Sequence, residues 1–510
     1  MRFNNKPTPS FELPLHSHPH PRMQSRAWPN HRHRSKPAAA VRLMSAILGM
    51  AILGACSMAP VQDTPSVAVS THWKHTPAED GWISAEVAQA WEAGEWWKLF
   101  EDPTLDALMR QVEISNQNLT LAVANVAQAQ ALLTQQEAAL WPTLGVQGSA
   151  QRSGGRATSS DGALSASVAA SWAPDLWGRL GDAARAQAAS VQVSEADLAN
   201  ARLSAQGSLA NAYLALRAAD AEIELLDQVV QAYERATTIT LNRYEAGVVA
   251  RTDLLQSQAT LLSTQASRTA LTRNRALYEH AIALLVGEVP AHFSLAPEAW
   301  SNRVPEVPVT MPSALLLRRP DIARAERSVA AANLQIGVAR AAFFPTVTLS
   351  ASGGPSSGFP VSNLFSASNM LWSLGMSVAQ TLFDAGAREA RVEQTLAARD
   401  AAIATYRQTS LAAMGQVEDQ LTTLQTLAQQ TEQTRQAADA AARVEQQALN
   451  SYEAGLSAYT AVVTAQANAL SQRRGLLQLQ LQRQQAAVGL IQALGGGWQA
   501  PWVSEPAEVS

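Results

Sequence analysis

The feature that most constrains this chain is an internal duplication. Tyr244-Glu245-Ala246-Gly247 recurs as Tyr452-Glu453-Ala454-Gly455, an offset of 208 residues. The same offset carries Gly178 to Gly386, Gly207 to Gly415, Gln258-Ala259 to Gln466-Ala467 and Gly287 to Gly495. Upstream, Trp141-Pro142-Thr143 matches Phe344-Pro345-Thr346 at an offset of 203, so the copies differ in length only within an intervening loop. A constant offset over so many positions means two copies of one structural unit.

Each copy reads the same way. A helix is expected over 116–140 and again over 321–343, with Pro320 at a helix start, where its missing N–H costs nothing. Pro142 and Pro345 stop these helices. Two β-like runs follow, 145–153 and 164–173 in the first copy and 346–353 and 372–382 in the second. Ser/Gly-rich loops at 154–162 and 354–362 join them. Next come proline-free helices over 182–246 and 387–454, each with one interior glycine, Gly207 or Gly415. Some 65 residues at 1.5 Å each make about 100 Å, longer than a globular domain needs, so these helices must pack lengthwise on others. Gly247 and Gly455 supply left-handed C-caps, and return helices follow over 252–286 and 458–494. The apolar positions Val191, Leu198, Leu203, Leu209, Leu214 and Leu216 form a weak heptad-like row among Ala, Gln, Ser and Thr. Small residues allow close helix approach, and polar ones can line a wet lumen. A filamentous coiled coil would carry more Leu at its seam. Gly207 and Gly415 are read either as close-packing points or as hinges.

The one cysteine, Cys56, rules out an intrachain disulfide. It follows the apolar run 41–55, which ends Leu53-Gly54-Ala55. That run is too short for a comfortable membrane span and has the form of an export signal. The small residues before Cys56 match the lipobox of bacterial lipoproteins, which implies acylation of the thiol and cleavage before it. Ser57 rather than Asp at the next position favours sorting to the outer membrane. Residues 1–40 are rich in His, Arg and Pro, and read as a long basic leader; Met23 and Met44 are alternative starts. His16, His18, His20, His31 and His33 lack a Cys or carboxylate cluster, so no metal site is expected. Residues 1–55 hold eight Arg/Lys and one acid, so the formal charge of −4 becomes −11 without them. Lys74 and Lys98 are then the remaining lysines, which argues against a nucleic-acid surface.

The β-like runs are about ten residues long, the length of a tilted membrane strand. They alternate loosely, and Trp141, Trp172, Trp177, Phe344, Trp372 and Phe383 lie near their ends, as an interfacial belt requires. Four strands cannot close a barrel, and an open edge cannot stand in lipid. Two copies would give a barrel filled by its own side chains, whereas three would leave a bore. A homotrimer is expected.

The whole pattern resembles the TolC-like outer membrane efflux proteins, most closely their lipoprotein branch that serves resistance-nodulation-division pumps. The resemblance is carried by Trp96-Trp97-Lys98-Leu99-Phe100-Glu101-Asp102-Pro103-Thr104-Leu105-Asp106-Ala107-Leu108, by Asn116-Gln117-Asn118-Leu119 and by Arg318-Arg319-Pro320-Asp321-Ile322. Ala342-Phe343-Phe344-Pro345 and Phe383-Asp384-Ala385-Gly386 complete it. It implies a mainly α chain with a small membrane β-barrel portion: a trimeric twelve-stranded barrel above a long helical periplasmic tunnel. The implied organisation is a leader and signal peptide (1–55), an N-terminal equatorial and anchor segment (56–115), a first repeat (116–296), an equatorial connector (297–317), a second repeat (318–497) and a tail (498–510). The implied partners are outer membrane lipids, a periplasmic adaptor and an inner membrane pump. The implied adaptor-docking tips are Tyr244, Gly247, Val248, Val249, Tyr452, Gly455, Leu456 and Ala458; Val248, Val249, Leu456 and Ala458 are the expected exposed contacts, and the two tyrosines are read as helix-end packing, as docking residues, or as both. Family members often carry aspartates just past the second tip, forming acidic rings at the entrance. Here Ala461 and Thr464 stand there, and Asp253 holds the corresponding place in the first copy, with Glu453 nearby. The expected constriction is therefore Asp253, Tyr452, Ala461 and Thr464.

There is no phosphate-binding G-x-x-x-x-G-K-[ST] loop and no G-x-S-x-G nucleophile turn. After the leader, His72, His75, His280 and His292 are scattered, and no carboxylate pair has catalytic spacing. The chain is read as a passive duct, not an enzyme, with no cofactor beyond the lipid on Cys56. The rival readings are a duct for type I protein secretion, a periplasmic adaptor, and a structural coiled-coil lipoprotein. Fold alone does not separate the cargoes of the first.

Overall fold

The computed structural model describes residues 57–61, 65–67, 70–74, 94–155, 158–307, 318–358, 364 and 366–502. Cys56, the leader, His75, residues 308–317 of the connector and residues 503–510 of the tail lie outside the described residues.

A 3-10 turn, Trp96–Phe100, leads into α1 (Pro103–Ser115) and α2 (Gln117–Ala138). Strands β1 (Thr143–Gly155) and β2 (Thr158–Trp172) follow, then α3 (Arg179–Glu245) and α4 (Arg251–Leu285). The second copy repeats this order as α5 (Pro320–Ala341), β3 (Thr346–Gly358), β4 (Met370–Ala379), α6 (Ala387–Glu453) and α7 (Tyr459–Ala493). Both long helices have 67 residues and both return helices 35. At 1.5 Å per residue, a return helix covers only about half of a long one. The other half is covered by α2 and α5, which pack on α3, while α5 also packs on α6.

The return helix and the short helix of each copy meet end to end. Asn116 accepts from Asn118 N and Leu119 N, capping α2, and donates its side-chain amide to Leu285 O at the end of α4. In the second copy the equivalent position is Arg319, whose Nη1 donates to Ala493 O at the end of α7 at 2.8 Å. Each satisfies a helix-end carbonyl that would otherwise lack a partner. Gly287 and Gly495 turn the chain here with φ of 75° and 89°. A Cβ on them would lie 2.3 Å from Ser115 O and 2.0 Å from Arg318 O. Only glycine fits such a close approach in a left-handed conformation.

The sheet is antiparallel, in the order β1-β2-β3-β4, so β1 and β4 are its two edges. The strand pairs run past the loops expected at 154–162 and 354–362: the first hairpin turns between Gly155 and Thr158, and β3 continues to Gly358. Ser and Gly have low strand propensity, but cross-strand pairing overrides it. Between 165 and 168 the β2–β3 register loses its pairs, next to Gly354 and Pro355. Pro355 has no N–H to donate, and a Cβ on Gly354 would lie 2.0 Å from Ala166 O.

The main core sits where the two copies join. Trp96, Trp97, Leu105, Met109, Leu209, Tyr213, Leu216, Ile322, Leu421 and Ile491 are among its buried side chains. A smaller cluster, Tyr452, Tyr459 and Val462, closes the second helical hairpin.

Candidate functional site

Three places carry the chemistry: the sheet, the joint between the copies, and the hairpin tips.

Register turns the loose alternation of the strands into two distinct faces. Leu144 pairs with Ala170, Val146 with Val168, and Trp172 with Leu349. Val347 pairs with Val378, Leu349 with Met376, and Ala351 with Leu374. Residues opposite each other share a face, so these apolar groups form one continuous surface. The other face is Thr143 with Ser171, Gln147 with Ser167, Ser149 with Ser165, Thr348 with Ser377, and Ser352 with Ser373. Leu144, Val146, Trp372, Leu374, Met376 and Val378 are all exposed. At the helix-side end, Trp177 stacks on Phe344 with centroids 4.8 Å apart and donates to Pro345 O, while Trp172 donates to Leu140 O. Trp372 stands at the far end of β4. Among the described residues, no helix is long and apolar enough to cross a membrane.

The joint is held by buried polar groups. Trp96, fully buried, donates to Gln206, and Trp97 donates to Asp106. Asp102 caps α1 and accepts from the Tyr213 hydroxyl at 2.7 Å. Burial, then Asp102, holds that hydroxyl above its ordinary pKa. Arg217 donates to Tyr213, to Ala296 O and to Glu298, which fixes the start of the connector. Arg275 pairs with Asp220 and donates to Leu295 O. Arg319, buried, binds Asp321 and Gln416 as well as Ala493 O. The residues that make the sequence recognisable are thus mostly joint residues.

Ser57, immediately after Cys56, donates to the fully buried Asp182 at 2.8 Å. Asn333 donates to Pro60 O, and Arg185 pairs with Asp182. A Cβ on Gly337 would lie 2.2 Å from Asp182 Oδ2 and 2.7 Å from Ala59 N. Residues 57–60 are therefore strapped onto the first turns of α3 and the middle of α5.

At the tips, α3 and α6 end alike. Gly247 and Gly455 have φ of 73° and 77°, and Val248 N and Leu456 N donate back to Arg243 O and Ser451 O. The tyrosines differ. Tyr244 is 37% exposed, whereas Tyr452 is 5% exposed, edge-on to Tyr459 at 5.1 Å. Arg243 lies over the Tyr452 ring at 4.8 Å and donates to Tyr452 O and Glu453 O at 3.1 and 3.2 Å. It ties one tip to the other. Tyr452 packs inside its own hairpin, while Val249, expected to be exposed, is half-buried. Gly247, Val248, Gly455, Leu456 and Ala458 are exposed. Of the expected constriction, Asp253 is half-buried, and Ala461 and Thr464 are exposed, with Thr464 donating to Thr460 O of its own helix. Asp253 is near enough to Tyr459 to be one cause of its raised pKa, pushed up to about 12 mainly by burial. Sequence reasoning missed Arg243 and Tyr459. Arg243 occupies the place of Ser451 in the second copy, and that break in the repeat was the available signal.

The model of the outer membrane efflux protein family matches this chain twice in succession, over residues 108–288 and 311–496. The chain belongs to that family. It is 32% identical to the pyoverdine export outer membrane protein OpmQ of Pseudomonas aeruginosa, over 90% of this chain and 97% of the relative. It is 29% identical to the toluene efflux pump outer membrane protein TtgC of Pseudomonas putida, over 89% and 96%. Its fold matches the outer-membrane channel OprN with a TM-score of 0.78 at 27% identity, covering 87% of this chain and all of that one. As in these channels, the architecture is a barrel portion on a helical tunnel.

Proposed function

We propose that three copies of this chain form a passive exit duct for small molecules across the outer membrane of a Gram-negative bacterium, fed by a periplasmic adaptor and an inner membrane resistance-nodulation-division pump. The observation that carries this reading is the sheet: one face apolar, the other Ser/Thr-lined, both edges unpaired. In lipid an unpaired edge costs several kcal/mol for each unsatisfied group, so the edges must meet other edges. Three copies supply twelve strands, turn the apolar face to lipid and leave a polar bore. Acylation of Cys56 adds a second hold, one residue before the strap at 57–60. The exposed tip residues Val248, Leu456 and Ala458 suit the apolar end of an adaptor hairpin, with Tyr244 beside them. Asp253 and Tyr452, with Ala461 and Thr464, form the constriction at the tips. Relatives named for pyoverdine and for toluene carry chemically unlike cargo, which supports selection by the pump rather than by the duct.

The test is single-channel recording of the purified acylated protein in planar bilayers. Small, rarely open channels support a gated duct. A protein that inserts and never conducts, with or without the adaptor, overturns the reading.

A further inference from the structure

We infer that Asp182 heads a receptor, built from α3 and α5, that captures the side chain of residue 57 once the helices have packed. Residue 57 is then read twice: in sorting, and again in the folded protein. The receptor takes a small side chain that donates a hydrogen bond, and its occupant is the chain's own segment 57–60. This rests on the lipoprotein part of the reading above, and goes beyond it by giving Ser57 a role after sorting.

The geometry is specific. The Asp182 carboxylate is fully buried, and the Ser57 hydroxyl donates to it, 2.8 Å from one oxygen and 3.1 Å from the other. Ser57 Oγ in turn accepts from Ala59 N at 3.2 Å. From α5, Asn333 donates to Pro60 O at 2.8 Å and Arg340 to Met58 O at 3.5 Å. Gly337 shares a helix face with these two, and the Cβ it lacks leaves the space that Asp182 and Ala59 fill. Further along, Lys74 N donates to Glu418 Oε1 of α6 at 2.7 Å, so the N-terminal segment is held at a second place.

The duplication shows that these residues serve the segment and not the helices. α2 corresponds to α5 at an offset of 203, and α3 to α6 at 208. The counterparts of Asp182, Gly337, Asn333 and Arg340 are Ala390, Thr134, Gln130 and Glu137. The same helices form with those residues in place, so helix packing does not call for the receptor set. An acid in the first turn suits the helix dipole, and α6 has one in Glu389, but Glu389 is exposed whereas Asp182 is fully buried. A carboxylate taken out of water needs donors. Arg185 supplies one from a side chain more than half exposed, and Ser57 supplies the other.

Two consequences follow for residue 57. The receptor exists only where α3 of the first repeat packs on α5 of the second, so the hydroxyl is free in the unfolded chain and captured after folding. Aspartate at this position would remove the donor and set a second carboxylate against Asp182. The residue that favours passage to the outer membrane is thus also the one that the folded chain accepts.

The test is proteinase K cleavage within 57–67, followed by mass spectrometry, on the full-length acylated protein in lipid nanodiscs. Ser57→Thr keeps the donor and should keep parental protection. Ser57→Ala and Ser57→Asp should be cut at least about tenfold faster at unchanged helix content, the factor for losing a hydrogen bond to a buried charge. Adding Asp182→Asn to Ser57→Asp should bring the rate back to within about threefold of the parent, because the amide donates to the new carboxylate. Parental protection of Ser57→Ala in a lipidated preparation overturns the capture. Parental protection of Ser57→Asp, or no recovery in the double variant, overturns the discrimination against aspartate. An intact mass without lipid on Cys56 overturns the lipoprotein reading, and the double reading of residue 57 with it. The receptor lies within one copy, so a native mass other than three chains overturns the duct while leaving the capture to stand on its own result.

Discussion

Removing the Arg243 guanidinium should part the hairpin tips without unfolding the hairpins. Arg243 donates to Tyr452 O at 3.1 Å and to Glu453 O at 3.2 Å, and its guanidinium lies 4.8 Å from the Tyr452 ring centroid. A hydrogen bond from a charged donor contributes about 1.5–3 kcal/mol when both partners are buried. These carbonyls lie at a wet tip, where water replaces the lost donor, so the two bonds together are worth about 1 kcal/mol. The ring contact adds about 0.5–1 kcal/mol. The sum, about 1.5–2 kcal/mol per copy, is roughly a tenfold to thirtyfold shift between joined and parted tips. Single-channel recordings of Arg243→Ala should show open-state occupancy at least about tenfold above the parent protein. The thermal midpoint should barely move, because Tyr452 keeps its packing on Tyr459 and Val462. Arg243→Lys should fall between the two, since an ammonium cannot donate as a fork. Unchanged occupancy in Arg243→Ala would refute the reasoning that this contact holds the tips together.

Four further outcomes are expected. Asp253→Ala should alter single-channel conductance; an unchanged value removes Asp253 from the constriction. Gly337→Ala should expel the strap, because its Cβ would lie 2.2 Å from Asp182 Oδ2 and 2.7 Å from Ala59 N. Proteolysis near residues 57–60 should then speed up, despite the roughly 1 kcal/mol that Ala adds to helix propensity; parental protection would contradict it. Gly495→Ala should be strongly destabilising in thermal melts, since a backbone carbonyl blocks the new methyl, and a melt like the parent's would count against the close approach described above. The Tyr459 hydroxyl, pushed up to about 12 by burial and then by Tyr452 and Asp253, stabilises the fold fully below its unfolded value near pH 10 and progressively less towards about pH 12. Tyr459→Phe should therefore show a shallower loss of thermal stability over that range, and an identical loss would mean that Tyr459 does not contribute.

Much of the fold was legible because the duplication is written in glycines. Gly178, Gly247 and Gly287 each mark a left-handed backbone position, and each reappears at the same offset. Helix ends followed from Pro320 and the Tyr-Glu-Ala-Gly tips to within a few residues. The strands were legible only in part. Serine, alanine and glycine dilute the alternation, and the two faces emerge only when Leu144 is set against Ala170 and Ser149 against Ser165. The strand ends were hidden because 154–162 and 354–358 have the composition of loops. At the tips, sequence treats Tyr244 and Tyr452 as equivalents. Their burial differs because Tyr452 packs on Tyr459 and lies under Arg243, whereas Arg251 and Ser451 stand at the counterpart positions in the repeat. Asp182 gave no signal, since its partner Ser57 is 125 residues away.

The central claim is that this chain closes its sheet only in company. The most direct test is the native mass of the acylated protein released intact from lipid nanodiscs. The account predicts three chains in one assembly, with no lipid-embedded monomer. A monomer or dimer, stable in lipid with its sheet edges protected from hydrogen exchange, would contradict it.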